Sequence, residues 1–132
     1  MTKNNKKKPH WAYVIGRFQI PHSAHFTLIE SALDLAERVI VFVGSAKSSR
    51  SALNPFDEHE RIAMLKNGLP QSVLERIVFC PIEDFWDNQK WVESVQAHAQ
   101  QIAQGAHTAI LVGHKKDFSS RYLDTLKADF HE

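Results

Sequence analysis

Apolar residues form two patterns along this chain, which are short continuous runs and stripes with helical spacing. The continuous runs predict four strands, because each is rich in β-branched or aromatic residues and is bounded by polar or glycine positions. A run that is apolar at nearly every position is typical of a parallel strand covered by helices on both faces. The four runs are WAYVIG, RVIVFVG, RIVFCPI and HTAILVGH.

The segments between these runs carry helical signals. A stripe with i, i+3, i+7 spacing predicts a helix over residues 23–37. A second helix is predicted from Asp57, because Asp57 and Glu60 have the spacing of a capping box. A short helical turn over residues 72–75 and a long helix that ends at Gly105 follow. After the fourth run we expect a loop, a short helix and no further strand.

This alternation predicts an α/β fold with three layers, in which helices cover both faces of a parallel sheet. Ligands of such sheets bind beyond the carboxyl ends of the strands, where the strand order reverses. Three of the four predicted strands end in segments that carry glycine together with polar or charged residues, and we expect these segments to meet on one rim. They are residues 16–18, 44–47 and 113–117.

Charge and composition narrow the classes of function. The 132 residues carry a formal net charge of +1, and four lysines in the first ten residues contribute to it. We interpret residues 1–10 as a disordered basic tail; the rest of the chain is net negative, which argues against a nucleic-acid partner. The single cysteine, Cys80, excludes an internal disulfide. No apolar run approaches the roughly 18 residues of a membrane span, so we expect a soluble cytoplasmic protein and no membrane partner.

Two histidines, His22 and His25, stand at the joint between the first strand and the helix that follows. The free N–H groups at the start of that helix, near Ser23, form an anion site together with the helix dipole. Imidazole groups at the same end suit the positioning and charge stabilisation needed for displacement at phosphorus. Two other interpretations stay open, namely half of a metal site and ordinary loop histidines. A metal site would need a third ligand, and the sequence has no H-E-x-x-H pattern.

The stretch GRFQIPHSAH resembles the signature of the HxGH nucleotidylyltransferase superfamily and, within it, the branch of the nicotinamide mononucleotide (NMN) adenylyltransferases. The likeness continues through VFVGSAKSSRSALNPFDEHERIAML, WDNQKWV and LVGHKKDFSSRYL, and so covers nearly all of residues 13–123. It implies a Rossmann-like fold and adenylyl transfer from ATP to NMN, which gives NAD and pyrophosphate. It also implies Mg²⁺ held mainly by the ATP phosphates, with no protein ligand assigned.

The same resemblance assigns roles to individual residues. It implies that His22 and His25 are catalytic, since they would hold the ATP phosphates and stabilise charge in the transition state. The other residues implied to contact ATP are Gly16, Arg17, Phe18, Gly113, His114, Lys115, Lys116 and Asp117. Those implied to contact NMN are Asn88, Trp91, Lys47 and Arg50.

Plainer interpretations of these residues also stay open. Trp91 is equally well read as a core anchor, and Lys47 and Arg50 as solvated loop charges. The segment of residues 114–117 is alternatively a charged surface loop. Arg61, which follows the predicted capping box, is expected to be a structural ion-pair partner and not a ligand.

The sequence departs from the family pattern at two places. Ala24 replaces the glycine of H-x-G-H, which a helical turn should tolerate. No segment of the type I-S-x-T-x-x-R follows Asp117, so we interpret residues 11–132 as a nucleotidylyltransferase domain truncated at its C-terminus, with an open strand edge that favours self-association. Bacterial members of this branch often carry a Nudix hydrolase domain after the transferase, and the resemblance makes such a domain an expectation for a longer protein. The alternative functions are transfer to nicotinate mononucleotide or phosphopantetheine, and nucleotide binding without turnover.

Overall fold

Five parallel strands form one sheet in the computed structural model of the chain, which describes residues 9–46, 55–83, 88–104, 108–113 and 129–131. The strand order β3-β2-β1-β4-β5 places the first strand in the centre, so the order reverses between β1 and β4. This confirms the predicted parallel α/β sheet. The strands are β1 (Trp11–Gly16), β2 (Arg38–Val43), β3 (Ile77–Pro81), β4 (Ala109–Val112) and β5 (Asp129–His131).

The helices lie where the sequence predicts them, to within a few residues at each end. They are α1 (Ser23–Leu35), α2 (Glu58–Asn67), α3 (Gln71–Leu74) and α4 (Asn88–Ala103). The capping box of α2 is present, because the Glu60 N–H donates to Asp57 Oδ1 at 2.8 Å and the Asp57 N–H donates to Glu60 Oε1 at 2.9 Å. No helix among the described residues is long and apolar enough to cross a bilayer.

The two faces of the sheet pack in separate cores. In β2, Val39, Val41 and Val43 pack in the core that also contains buried residues of α1 and α2. Ile40 and Phe42, which alternate with them, pack in the second core with buried residues of α4. Because successive side chains of a strand point to opposite faces, a strand buried on both faces is apolar at every position. The continuous run RVIVFVG is therefore explained by helices on both sides of the sheet.

The fifth strand corrects the prediction that the sheet ends with the fourth. Asp129 to His131 pair in parallel with Ile110 to Val112 of β4. The segment has three residues, two of them polar or charged, and carries no continuous apolar run. Its strand conformation comes from pairing with β4 and not from a local pattern, which is why sequence reasoning missed it. The short helix expected before it falls outside the described residues.

The predicted basic tail extends less far into the chain than residue 10. The Pro9 carbonyl accepts a hydrogen bond from the Glu37 N–H at 3.2 Å, and the His10 carbonyl accepts one from the Arg38 N–H at 3.1 Å. Both residues are thus part of the folded structure beside the start of β2. Residues 1–8 lie outside the described residues, so a disordered tail there stays a prediction.

The end of α1, at the amino edge of the sheet, is closed by Arg76. Its guanidinium Nη2–H groups donate to the carbonyl groups of Leu33 and Ala36 at 2.6 and 2.9 Å, and its Nε–H donates to the backbone carbonyl of Glu37 at 3.0 Å. The last carbonyl groups of a helix have no partner within the helix. Arg76 therefore has a structural role at the edge opposite to the predicted site.

Candidate functional site

The carboxyl ends of β1 and β2 meet beside the start of α1. The Gly44 N–H donates to the Gly16 carbonyl at 2.8 Å and so joins the two loops that leave these strands. The chain then reaches His22, the N-cap of α1, whose backbone is extended with φ −139°. No acidic side chain lies in the first turn of α1, so the positive end of the helix dipole faces no carboxylate of that turn. This is the geometry of an anion site at the point where the strand order reverses.

His22 and His25 form one unit at this helix start. The two rings stack with centroids 3.9 Å apart and an interplanar angle of 28°. The His22 backbone N–H donates to His25 Nδ1 at 3.1 Å. A ring nitrogen that accepts a hydrogen bond carries no proton, so neutral His25 holds its proton on Nε2. The fold thereby leaves a donor on the outer nitrogen of His25, and a phosphate oxygen needs such a donor.

The surroundings of His25 determine whether its ring is charged. Partial burial, and then the neighbouring His22, lower the pKa of His25 below its ordinary value. Both causes disfavour a second proton on the ring, because a buried cation loses solvation and two cationic rings in contact repel each other. His25 is therefore neutral near pH 7 before an anion arrives, and an anion at the ring would favour the charged form.

Phe18 supports His25 from below. Its side chain is only 2% exposed, and its ring meets the His25 ring edge to face with centroids 4.8 Å apart. A Cβ at Gly16 would lie 3.0 Å from Phe18 Cζ, so the ring occupies the space that the missing side chain leaves. Phe18 also has a positive φ of 55°, which is uncommon for a residue other than glycine. The contact with ATP that the resemblance implies for Phe18 stays a prediction, and the buried ring packs against His25.

Arg61 lies within the protein behind these loops and is 1% exposed. Its Nη1–H groups donate to the carbonyl groups of Arg17 at 2.7 Å and Gly44 at 2.5 Å, and its Nη2–H donates to Ser45 at 3.3 Å. Its Nε–H donates to the Asp57 carbonyl at 3.2 Å. The sequence predicted a structural ion-pair partner and gave no sign that carbonyl groups of two separate loops accept from Arg61. The capping box at the start of α2 was the only local signal.

Gln19 makes a second tie between the loop after β1 and the segment before α2. Its side-chain amide donates to the Phe56 carbonyl at 2.9 Å, and its Oε1 accepts from the Phe56 N–H at 3.2 Å. Arg61 and Gln19 together hold the start of α2 against the loop after β1. The predicted anion site therefore rests on two strands and two helix starts.

The other predicted site residues differ in what the structure describes. Gly113 directly follows β4 and is buried. The Arg17 side chain is exposed, and Arg17 precedes His22 by five positions in the sequence. Trp91, in the first turn of α4, is partly buried and packs against the core beneath α4, which agrees with a core anchor and leaves part of the side chain accessible. Asn88 is the first residue of α4, and its side chain falls outside the described part of the chain. The predicted contacts that lie outside it entirely are Lys47, Arg50, His114, Lys115, Lys116 and Asp117.

A metal site made of protein side chains has no support in the described part of the chain. No group of three or more histidine, cysteine, aspartate or glutamate residues there is arranged to hold a metal ion. Cys80 is buried in β3, and burial raises the pKa of its thiol to about 11, so it is neither a thiolate ligand nor a nucleophile near neutral pH.

Curated relatives of the chain share a common activity in their names. The nicotinamide/nicotinic acid mononucleotide adenylyltransferase of Acinetobacter baylyi is 40% identical over 109 residues, which are 83% of this chain and 58% of that protein. The nicotinamide-nucleotide adenylyltransferase of Sulfurisphaera tokodaii is 36% identical over 89 residues, which are 66% of this chain and 52% of that protein. The chain thus spans little more than half the length of these relatives.

Solved structures give the same picture for the fold. A bifunctional NMN adenylyltransferase/ADP ribose pyrophosphatase from Francisella tularensis superposes with a TM-score of 0.82 and 29% identity, covering 92% of this chain and 37% of that one. A second structure of that description, complexed with AMP and a manganese ion, superposes with a TM-score of 0.83 and 27% identity and covers 93% of this chain and 36% of that one. The model of the cytidylyltransferase-like family matches residues 13–127. The strand order, the histidine pair at the helix start and this match lead to one assignment, that the chain belongs to the cytidylyltransferase-like family.

Proposed function

We propose that this chain transfers the adenylyl group of ATP to nicotinamide mononucleotide and so forms NAD and pyrophosphate. The observation that carries the proposal is the His22–His25 pair at the start of α1, where the His22 N–H occupies His25 Nδ1 and leaves Nε2–H as a donor. The names of the relatives from Acinetobacter baylyi and Sulfurisphaera tokodaii support the choice of reaction.

The reaction requires no nucleophile from the protein. A phosphate oxygen of NMN attacks the α-phosphorus of ATP and forms a new P–O bond, while the bond from that phosphorus to the bridging oxygen breaks and pyrophosphate leaves with the electron pair. Negative charge grows on the oxygens around phosphorus and on the leaving group. The first backbone N–H groups of α1 and the Nε2–H of His25 would stabilise this charge, because they are fixed donors at the positive end of a helix.

A divalent cation would enter this site together with its substrate. The described residues offer no cluster of metal ligands, so we propose that Mg²⁺ is held by the phosphates of ATP. When bound, the ion would neutralise charge on the phosphates. The structure of the Francisella tularensis protein with AMP and a manganese ion supports the use of a divalent metal. The residues of this chain would then orient the triphosphate through the α1 N-terminus and His25.

The remaining ATP contacts and the acceptor side complete the proposal. Besides His22 and His25, we assign seven residues to ATP, since in sequence they end or follow β1 and β4, the strands between which the order reverses. They are Gly16, Arg17, Phe18, Gly113, His114, Lys116 and Asp117. We assign Asn88, Trp91, Lys47 and Arg50 to NMN, with the exposed part of the Trp91 ring against the flat nicotinamide.

The experiment that tests the proposed activity is an NAD-formation assay on this chain with ATP, NMN and Mg²⁺. The assay is coupled to alcohol dehydrogenase, which reduces the NAD formed to NADH, and the NADH absorbance is measured. We expect NAD to form and to depend on all three additions. Nicotinate mononucleotide is the second acceptor to compare, because the name of the Acinetobacter baylyi relative covers both the amide and the acid. Failure to form either dinucleotide, in a chain that is folded by circular dichroism, would contradict the proposal.

The acceptor assignment has a separate test in Trp91. Replacing Trp91 with leucine keeps an apolar side chain against the α4 core and removes the aromatic face. We expect the KM for NMN to rise more than the KM for ATP, because stacking is lost from one substrate only. An equal rise in both constants would show that Trp91 acts through the core.

A cytoplasmic location, a homo-oligomer and a further hydrolase domain in a longer protein stay predictions. The bifunctional name of the Francisella tularensis protein supports the last of these.

A further inference from the structure

Arg61 connects the three chain segments that surround the anion site. It is 1% exposed, lies in the first turns of α2, and donates to carbonyl groups of Arg17 after β1, of Gly44 and Ser45 after β2, and of Asp57 before α2. A guanidinium has five donors in a rigid planar fork and stays charged at every physiological pH. One side chain therefore sets the spacing between two loops that are far apart in sequence.

Both loops contain a left-handed residue beside the carbonyl groups that Arg61 binds. Phe18, with φ 55°, follows Arg17, and Ser45, with φ 56°, follows Gly44. The Arg17 and Gly44 carbonyl groups belong to the peptide units that precede these residues. Left-handed backbone is unfavourable for residues with a Cβ and persists only where the surroundings hold it. Arg61 supplies such a constraint to both loops at once.

The constraint on Phe18 reaches the histidine pair through direct contacts. The Phe18 ring packs over Gly16 and against His25, which in turn stacks on His22. A change in the Arg17–Phe18 peptide would move the ring and therefore the support of His25. The path runs from the Arg61 guanidinium through one peptide unit and one aromatic ring to the imidazole.

We propose that Arg61 is a positioning residue, which holds the Phe18 support and the loop after β2 in the geometry that His25 needs to bind substrate phosphate. The inference rests on the proposed function, since it takes the anion at α1 to be a substrate phosphate. Arg61 itself does not contact substrate in this proposal. Its effect comes from the fork of donors, and the charge alone does not replace it.

Arg61→Lys separates the fork from the charge, and Arg76→Lys is the matched control. Arg76 also donates to three carbonyl groups, but at the C-terminus of α1 on the opposite edge of the sheet. We expect both variants to lower the thermal unfolding temperature. Only Arg61→Lys should lower kcat for NAD formation, on the order of 10²-fold, because small misplacement of a catalytic group has effects of that size. Only Arg61→Lys should also weaken binding of α,β-methylene ATP, which cannot release pyrophosphate.

Two readouts distinguish this proposal from failure of the proposed function. The ¹⁵N shifts of the His25 ring, measured without substrate, should show the Nε2–H form in the parent and in Arg76→Lys but a changed tautomer balance in Arg61→Lys. In the unsubstituted chain, the Arg61 Nε–H resonance should shift when α,β-methylene ATP and Mg²⁺ are added, while the Arg76 resonance should not. Absence of NAD formation in the parent would contradict the proposed function and leave the His25 readout intact.

The outcome that would overturn the inference is agreement between the two variants. If Arg61→Lys and Arg76→Lys lose the same stability while kcat, nucleotide affinity and the His25 ring signals match the parent, Arg61 is structural only. If Arg61→Lys does not fold, the resonance comparison in the parent decides, and an unshifted Arg61 signal would count against the proposal.

Discussion

The two arginines that donate to backbone carbonyl groups serve opposite edges of the same sheet. Arg76 closes the end of α1, where its partners at Leu33, Ala36 and Glu37 are nearly consecutive in one segment. Arg61 binds carbonyl groups from three separate segments, two of which contain residues with positive φ. The same chemical group thus terminates a helix at one edge and holds strained loops together at the other.

Two histidines repeat this contrast. His10, at the amino edge, accepts from the Thr108 N–H with Nδ1 at 3.4 Å, and its own N–H donates to Thr108 Oγ1 at 2.9 Å. His25, at the carboxyl edge, also accepts from a backbone N–H with Nδ1, but it stacks on His22 at the start of a helix. A bond from a backbone N–H to Nδ1 is therefore common to both edges. The helix dipole and the second imidazole are what distinguish the candidate site.

The largest effect is expected from comparing substitutions of the two histidines, His25 and His10. His25→Ala should lower kcat for NAD formation on the order of 10²–10³-fold, since loss of one preorganised donor to developing charge typically has that cost. His10→Ala should leave kcat unchanged, because its contacts with Thr108 lie at the other edge of the sheet. Steady-state rates with ATP, NMN and Mg²⁺ measure both, and equal losses in the two variants would remove the catalytic assignment.

Two further substitutions separate the two nitrogens of His25. In His25→Asn the side-chain oxygen can still accept from the His22 N–H, but no donor reaches the Nε2 position. In His25→Gln the amide reaches toward that position. We expect His25→Gln to keep more activity than His25→Asn, while His25→Asn keeps more thermal stability. The reverse order for activity would mean that His25 acts as a helix cap and not as a phosphate ligand.

Local patterns predicted the framework of this molecule well. The capping box of Asp57 and Glu60 is confirmed, because both partners lie within one turn. The strands of the two cores were visible as continuous apolar runs, since burial on both faces leaves no polar position. The histidine pair was found at the start of α1, because a strand followed directly by a helix fixes where that helix begins.

Features that depend on distant segments escaped prediction. No local pattern indicated that the Phe18 ring packs against His25, because this position follows from a positive φ at Phe18 and from the space at Gly16. The carbonyl partners of Arg61 lie up to 44 positions away in sequence. The strand Asp129–His131 exists because β4 offers an edge. For Arg61 and β5 the deciding partners lie outside any local window, and for Phe18 the deciding feature is a positive φ that is uncommon for this residue type.

A smaller effect is expected from two glycines on the carboxyl rim. In Gly16→Ala the new Cβ would lie 3.0 Å from Phe18 Cζ, so the ring under His25 must shift by a few tenths of an ångström. We expect kcat to fall by about tenfold, since a displacement of about 1 Å can cost 10²-fold. In Gly44→Ala the nearest atom, the Gly16 carbonyl oxygen, would lie at an ordinary 3.5 Å, so this variant should change kcat less. If Gly44→Ala lowered kcat more than Gly16→Ala, the packing on which activity depends would lie in the loop after β2 and not at Phe18.

The smallest expected effect is a dependence of stability on pH, whose two limbs belong to different regions. Burial and the neighbouring His22 lower the pKa of His25 below 6.5 in the folded chain. The unfolded chain then binds more protons below that pH, so the free energy of unfolding should decrease as the pH falls through about 6.5. Burial raises the pKa of Cys80 to about 11 and that of Tyr13 to about 12.

At the alkaline end the unfolded chain releases protons that the folded chain retains, so stability should decrease as the pH rises from about 9 toward these values. Urea unfolding between pH 5 and pH 11 measures both limbs. His25→Asn should flatten the acid limb and leave the alkaline limb, because among the described residues His25 is the group with a shifted pKa at the carboxyl rim, while Tyr13 and Cys80 lie in the core beneath α4. Cys80→Ala should flatten part of the alkaline limb and leave the acid limb, because Cys80 lies in the core beneath α4. If one substitution flattened both limbs, the titrating groups of the rim and of the core would be coupled, and the separation of the two regions would fail.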